Sequence, residues 1–224
     1  MNVNQIYQYL LFLIKKYQSG TVSATDFFYA WNTEQHTFMN ELLGNLHNRN
    51  STKTGNNTGL VMDRRTMTML QPFTVPDGFT VVSGVINPMP IEILMLLSIR
   101  IGEKAVHEIH ADQIFSVVGS VIDPPSEDDG KFYYYLGEDA IYILPNTFNG
   151  LADIIYISKP VDVVWGYTLD VDNRQVYNAG TSVQPLWAVG EIIEITKRTL
   201  SSLGVRFASQ DFQNFGKTAI ATGQ

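Results

Sequence analysis

Cysteine is absent from this sequence. That one gap removes a disulfide framework, a thiolate zinc site and a cysteine nucleophile together. Histidine is scarce as well, with four scattered residues, and no GxSxG, Walker, GxGxxG or kinase pattern is present. Long apolar runs are missing. Tyr9–Ile14 and Ile91–Leu97, the latter broken by Glu92, fall far short of the ~20 residues that span a bilayer. Basic residues never cluster beyond the pairs Lys15-Lys16, Arg64-Arg65 and Lys197-Arg198, and the net charge is −7. A nucleic-acid groove needs clustered lysine and arginine, so no sequence-specific nucleic-acid contact is expected. The first residues lack the basic, apolar and small-residue succession of a signal peptide, so synthesis in the cytoplasm without membrane crossing is expected. With so few catalytic residue types, the chain is read as a non-enzyme that needs no cofactor and no metal.

What is present is core material. Apolar residues make up 45% of the chain, which excludes wholesale disorder. Ile6, Tyr9, Leu10, Leu13, Ile14 and Tyr17 recur at helical spacing, with Leu11 and Phe12 on the opposite side. A helix greasy most of the way round is covered on more than one side. Gly20 is a natural C-cap, and Ser23 followed by Asp26 marks the next helix start. On that second helix Phe27, Trp31, Phe38 and Leu42 form one stripe that Leu46 continues, packed against the first helix as a hairpin. Phe28 and Tyr29 leave the stripe, and Glu34, Gln35 and His36 read as a solvated edge.

Residues 47–59 form a polar, Asn- and Gly-rich loop, after which the periodicity changes. Strands are expected around 79–82 and 91–101, and at 132–136, 140–144 and 151–158. Asn149-Gly150 suggests a two-residue hairpin between the last two, and Asp172-Asn173 another at 167–177. Residues 109–122 read as a helix stopping before Pro124-Pro125. A closing helix occupies Glu191–Leu203, ended by Gly204, and Ser209 caps a short helix exposing Phe212 and Phe215. The expected fold is α+β: a helical layer from 1–58 and 188–224, with 59–187 as a large β-rich insertion of antiparallel hairpins.

Two constellations invite chemistry. HEIH at 107–110 has its histidines three apart on a strand-like alternation, which sends them to opposite faces rather than to one metal. DPPSEDDG at 123–130 crowds four carboxylates together, so a hard cation is conceivable, yet the ligand alternation and closing glutamate of a calcium loop are missing. Paired carboxylates for glycoside hydrolysis stay open, because sequence alone sets no separation in space. The crowded rings of the second helix admit a core, a core with a subunit seam, or a ligand cage. The seam explains most, since aromatic residues concentrate at protein–protein interfaces.

Several stretches resemble neck or tail ring proteins of tailed bacteriophages that infect Bacteroidetes, the crAss-like phages in particular. They are VNQIYQYLLFLIKKYQSGTVSATDFFYAWNTEQHTFMNELLG at the start, GEDAIYILPNT and DVVWGYTLDVDNRQVYN in the second half, and EIIEITKRTLSSLGVRFASQDFQNF at the end. The likeness is poorer across 59–125. The resemblance implies a virion structural protein made in the bacterial host. It would be a subunit of a head-to-tail connector ring, commonly twelvefold, that joins the portal to the tail and lines or seals the DNA channel. Its partners would be its own copies, the portal and other ring proteins. The family carries no catalytic residues to transfer. A closed ring uses two different patches per subunit. One is expected to include the terminal helices with Phe28 and Tyr29, and the other the β hairpins or the tail bearing Phe207, Phe212 and Phe215. The rival reading is a β-rich binding module for carbohydrate or Ca²⁺, using 123–130 as a cation loop and Trp165, Trp187 and Tyr133–Tyr135 as sugar platforms.

Overall fold

The computed structural model describes residues 1–17, 22–51, 64–87, 92–122 and 124–206. Along them run α1 (Val3–Tyr17), α2 (Ala24–Ser51), α3 (Arg64–Leu70), β1 (Thr74–Val81), β2 (Val85–Ile86), β3 (Ile93–Ile101), β4 (Lys104–Glu108), α4 (Ile114–Val118), β5 (Phe132–Leu136), β6 (Ile141–Leu144), β7 (Gly150–Ser158), β8 (Tyr167–Leu169), β9 (Gln175–Tyr177) and α5 (Val189–Arg206). The fold is α+β. Its two compact units are Met1–Pro72 with Pro160–Gln224, and Phe73–Lys159. The inserted unit is thus shorter at both ends than the 59–187 expected from sequence.

In the helical unit, Ser23 starts α2 as its pattern predicts: Oγ accepts from Asp26 N at 3.1 Å and donates to the Asp26 carboxylate at 2.7 Å. The stripe of Phe27, Trp31, Phe38 and Leu42 is buried, joined by Met39. The most extensive helix partner of α2 is α5, which buries Ile192, Ile195, Thr196, Thr199, Leu200 and Leu203. Thr196 and Thr199 enter that apolar seam because their hydroxyls donate to Ile192 O and Ile195 O one turn back, at 2.7 and 2.9 Å, so neither is left without a partner. The helix continues through Gly204 to Arg206 rather than ending at the glycine. In α1 the buried stripe is Val3, Ile6, Tyr7 and Leu10, while Tyr9 is exposed. The helix is therefore turned from its expected facing, with the Tyr7 hydroxyl donating to Val22 O at 3.0 Å.

The β unit is one seven-stranded sheet in the order β1-β7-β3-β4-β5-β6-β2. Its two outermost strands are consecutive in sequence, and Val82 and Val85 exchange backbone hydrogen bonds of 3.0 Å across the turn between them. The sheet therefore curls into a nearly closed barrel. Inward residues from every strand meet in one cluster: Val81, Ile86, Ile99, Val106, Phe132, Tyr134, Ile141, Ile143, Ala152, Ile154 and Tyr156. The alternation on β7 sends Ala152, Ile154 and Tyr156 in while Leu151 and Asp153 face out, as a period of two requires. The hairpin expected at Asn149-Gly150 does not form: β6 pairs with β5 and β2, and β7 pairs with β1 and β3. Asn149 instead ties the barrel rim, its side-chain oxygen accepting from Ser83 N at 2.8 Å and its amide donating to Thr147 O at 2.8 Å.

All neighbouring strands in this sheet are antiparallel except β4 and β5, which run parallel. Parallel neighbours need a crossover of a dozen or more residues. Ile109 still donates to Tyr134 O at 2.9 Å, and the chain after it supplies that crossover.

Tyr134 lies inside the barrel. Burial first, then the charge of Glu108 and a hydrogen bond to it, push its phenol well above the ordinary tyrosine range. Burial, then Asp77 and Glu92, raise Tyr156 as well. Both phenols keep their protons in the fold where the unfolded chain would release them, so they stabilise fully below about pH 10 and progressively less as pH rises beyond it. Calorimetry across the alkaline range is expected to show the melting temperature falling above about pH 10, less steeply in Tyr134→Phe. An unchanged slope in that variant would remove Tyr134 from the account.

Candidate interaction surfaces

The rings singled out by sequence part company in the fold. Phe28 is buried, correcting the expectation that it faces outward. Its ring packs edge-on against Phe27 at 4.8 Å between centroids and lies 6.2 Å from Tyr7. The turn of α1 that buries Tyr7 in place of Tyr9 is what covers it. Tyr29 is 73% exposed, standing alone on a polar stripe with Thr25, Thr33 and Thr37. Phe207, Phe212 and Phe215 lie outside the described residues. On α1 a further apolar pair, Tyr9 and Phe12, is exposed at the spacing that places both on one side of a helix.

The supposed solvated edge of α2 is a clamp. Asn32 Oδ1 accepts from Val163 N at 2.9 Å and its amide donates to Val163 O at 3.0 Å. Gln35, 1% exposed, donates to Asn32 Oδ1 at 3.0 Å and Val161 O at 3.2 Å, and accepts from Trp187 Nε1 at 3.3 Å. His36 Nε2 meets Asp162 Oδ1 at 2.8 Å. An extended segment with no sheet partner along most of its length thus has its backbone groups satisfied by side chains, as buried polar groups demand. This clamp is why 160–187 belongs to the helical unit.

Between α2, α3 and α5 lies an open cleft of about 450 Å³, lined by Phe38, Leu42, Thr66 and Met69 with Arg65, Gly190, Glu191 and Glu194. Arg198 braces one wall, reaching Glu41 at 2.7 Å and Glu194 at 3.2 Å with its guanidinium 5.0 Å from the Phe38 ring centre. Burial alone would lower its pKa, but hydrogen bonds to both glutamates and their charges raise it.

The crossover of the β unit forms a second surface. The helix expected over 109–122 is only a single turn, Ala111–Gln113, followed by α4, which buries none of its residues. Phe115 is 89% exposed, Val121 96% and Ile122 95%, with Val118 exposed beside them. Sequence reading missed these residues. Their signal was an uncharged run, IFSVVGSVI, whose polar side is limited to two serines four positions apart, Ser116 and Ser120. Beyond it the acidic turn closes on itself: Ser126 and Lys131 pair, Gly130 N reaches Glu127 O, and Glu127 accepts from the Thr147 hydroxyl at 3.0 Å. Among the described residues no three His, Asp or Glu side chains converge to hold a metal ion. His107 and His110 are both exposed.

A third projection is the β8–β9 hairpin, tied at its tip by Asp170 Oδ1, which accepts from Asp172 N and Arg174 N at 2.8 and 2.9 Å. Val171 at its tip is 100% exposed. The base rests on Trp165, whose ring stacks with Tyr167 and packs on Tyr177 and Tyr7. Of the residues proposed for a sugar platform, Trp187 and Tyr134 are buried and so unavailable as platforms, while Tyr133 and Tyr135 are half-buried on the barrel exterior.

No protein-family model and no curated protein matches the chain. The surfaces are accordingly interpreted from their own chemistry: apolar, protruding, and without a converging set of reactive groups among the described residues.

Proposed function

We propose that this chain is a structural subunit of a cyclic homo-oligomeric ring in the head-to-tail connector of a tailed phage, where it joins portal to tail and lines or seals the DNA channel. The observation that carries the reading is the crossover loop, which holds Phe115, Val121 and Ile122 almost wholly in water. A folded chain gains nothing for its own stability from such residues, and contiguous exposed apolar surface marks an interaction site. Tyr29, Tyr9 and Phe12 supply apolar surface on the helical unit as well, in keeping with the two dissimilar patches that a closed ring requires. The quoted stretches at both ends and in the second half support the phage assignment. The net charge of −7 suits a channel wall that DNA must pass without sticking, since like charges repel.

Mass photometry or sedimentation of the purified chain, with location of its density in a particle reconstruction, tests this. A closed oligomer present in particles is the expected result. A stable monomer absent from particles would count decisively against it.

A further inference from the structure

We infer that the open edge of the barrel carries a built-in guard, in which Pro76 and Asp77 on β1 block another chain from adding a strand there. β1 pairs with β7 along its whole length, from Thr74 to Val81. On its other side, among the described residues, the turn at Ser83-Gly84 brings β2 against it only at Val82, because β2 ends at Ile86. Val82 exchanges both of its backbone bonds with Val85 at 3.0 Å, so its N–H and C=O point away from β7. Backbone groups alternate sides along a strand, which aims those of Pro76, Gly78 and Thr80 the same way. All three residues are exposed. Such an edge is a template for strand addition, and Thr74, Val75, Phe79, Thr80 and Val81 have the composition of a strand former.

The middle of the strand opposes that addition in three ways. Pro76 has no N–H to offer on the open side; a proline at 75 or 77 would instead have cost a bond to β7. The Gly78 N–H also points to the open side, and the Asp77 carboxylate takes it, Oδ1 accepting at 2.8 Å. Asp77 itself stands on the inward face of β1, between Val75 and Phe79, which pack against the barrel core. A strand laid beside it would have to desolvate that charge.

Two successive donors of the open edge are thereby withdrawn. An incoming strand would lose two neighbouring ladder bonds and leave its own carbonyls without donors, a larger loss than the remaining bonds return. The guard does not depend on the ring reading, since any folded chain with an open sheet edge is exposed to the same pairing.

The double variant Pro76→Thr with Asp77→Thr returns both donors without adding a large apolar side chain. Hydrogen exchange of the full chain over residues 76–80 is expected to slow in this variant as protein concentration rises, by at least about tenfold once strands pair. The wild type is expected to show no concentration dependence there. Asp77→Asn is expected to match the wild type, because its amide oxygen still accepts from the Gly78 N–H and Pro76 remains. Both positions are exposed, so the melting temperature of the double variant is expected to stay near that of the wild type. Should it fall, Pro76→Thr alone carries the test, with a smaller slowing expected over the same residues.

A double variant that folds and exchanges like the wild type at every concentration overturns the guard, as does a folded Pro76→Thr chain without slowing. Association of either variant that leaves 76–80 unprotected runs through another surface and overturns it too. Slowing in Asp77→Asn would assign the block to charge alone. Concentration-dependent protection of 76–80 in the wild type would make this edge a natural interface, the opposite of what is inferred, and would leave the ring reading standing.

Discussion

Gly84→Ala is expected to destabilise the β unit by about 2–5 kcal/mol, which calorimetry would register as a fall of many degrees in its melting temperature. Gly84 sits in the turn that joins the two outermost strands of the sheet, with φ +72°. An alanine there carries a left-handed conformational cost of roughly 1–2 kcal/mol. Its Cβ would also stand 2.6 Å from Ile143 O and 2.7 Å from Asn146 Cα. Both are backbone atoms, so no side-chain rotation relieves the overlap, and forced shifts of this kind cost roughly 1–3 kcal/mol more. The neighbouring bonds Gly84 N to Phe148 O at 2.8 Å and Ile143 N to Gly84 O at 2.6 Å are those that bring the turn onto the rest of the barrel. Gly102→Ala is the control: its φ is +58°, but nothing lies within 4 Å of the added methyl, so the conformational cost alone is expected. Equal losses in the two variants would show that the seam at Gly84 is not tight.

Gln35→Leu is expected to cost about 2–4 kcal/mol in the helical unit despite its similar size. The substitution removes the donor to Val161 O, the donor to Asn32 Oδ1 and the acceptor of the Trp187 indole N–H, in a place where Gln35 itself is 1% exposed. The penalty comes from desolvated backbone and side-chain groups losing partners, which exceeds the net gain of an exposed hydrogen bond. Gln35→Glu separates shape from hydrogen bonding. It keeps the acceptor, loses the donors and buries a carboxylate, whose ionisation burial opposes. The loss of stability of that variant relative to the wild type is therefore expected to be larger at neutral than at mildly acid pH. Denaturation of both variants at two pH values checks the account, and a Gln35→Leu chain as stable as wild type would sink it.

How much of this was legible in sequence depends on the range of the interaction. The Ser23–Asp26 cap, the Phe27–Trp31–Phe38–Leu42 stripe and strands β5, β6 and β7 could be read from residues a few positions apart, because helix and strand periodicities are local. The turn at Asp172-Asn173 was legible for the same reason, with Asn173 at φ +58°. Phe28 and Gln35 misled. Whether a residue off the main stripe is solvated depends on what else packs there, and α1 covers the first while the 161–163 segment covers the second. Asn149-Gly150 carried a good hairpin signature, but its strands took other neighbours and the asparagine served the barrel rim.

The candidate surface was legible only in part. Tyr29 was foreseen as exposed and is. The apolar part of the crossover, 114–122, was not foreseen as a surface, because its exposure follows from β4 and β5 being parallel neighbours, and nothing local to 109–122 encodes that pairing. The α+β class, the helix starts, the inward alternation of the strands and the lack of cysteine chemistry belong to the sequence by itself. Strand order, the closing of the sheet at Gly84, the clamp on 161–163 and the exposure of Phe115 belong to the tertiary structure. The physical reason is that these depend on groups brought together from distant parts of the chain, whose hydrogen-bonding and packing demands are met only once the whole fold is in place.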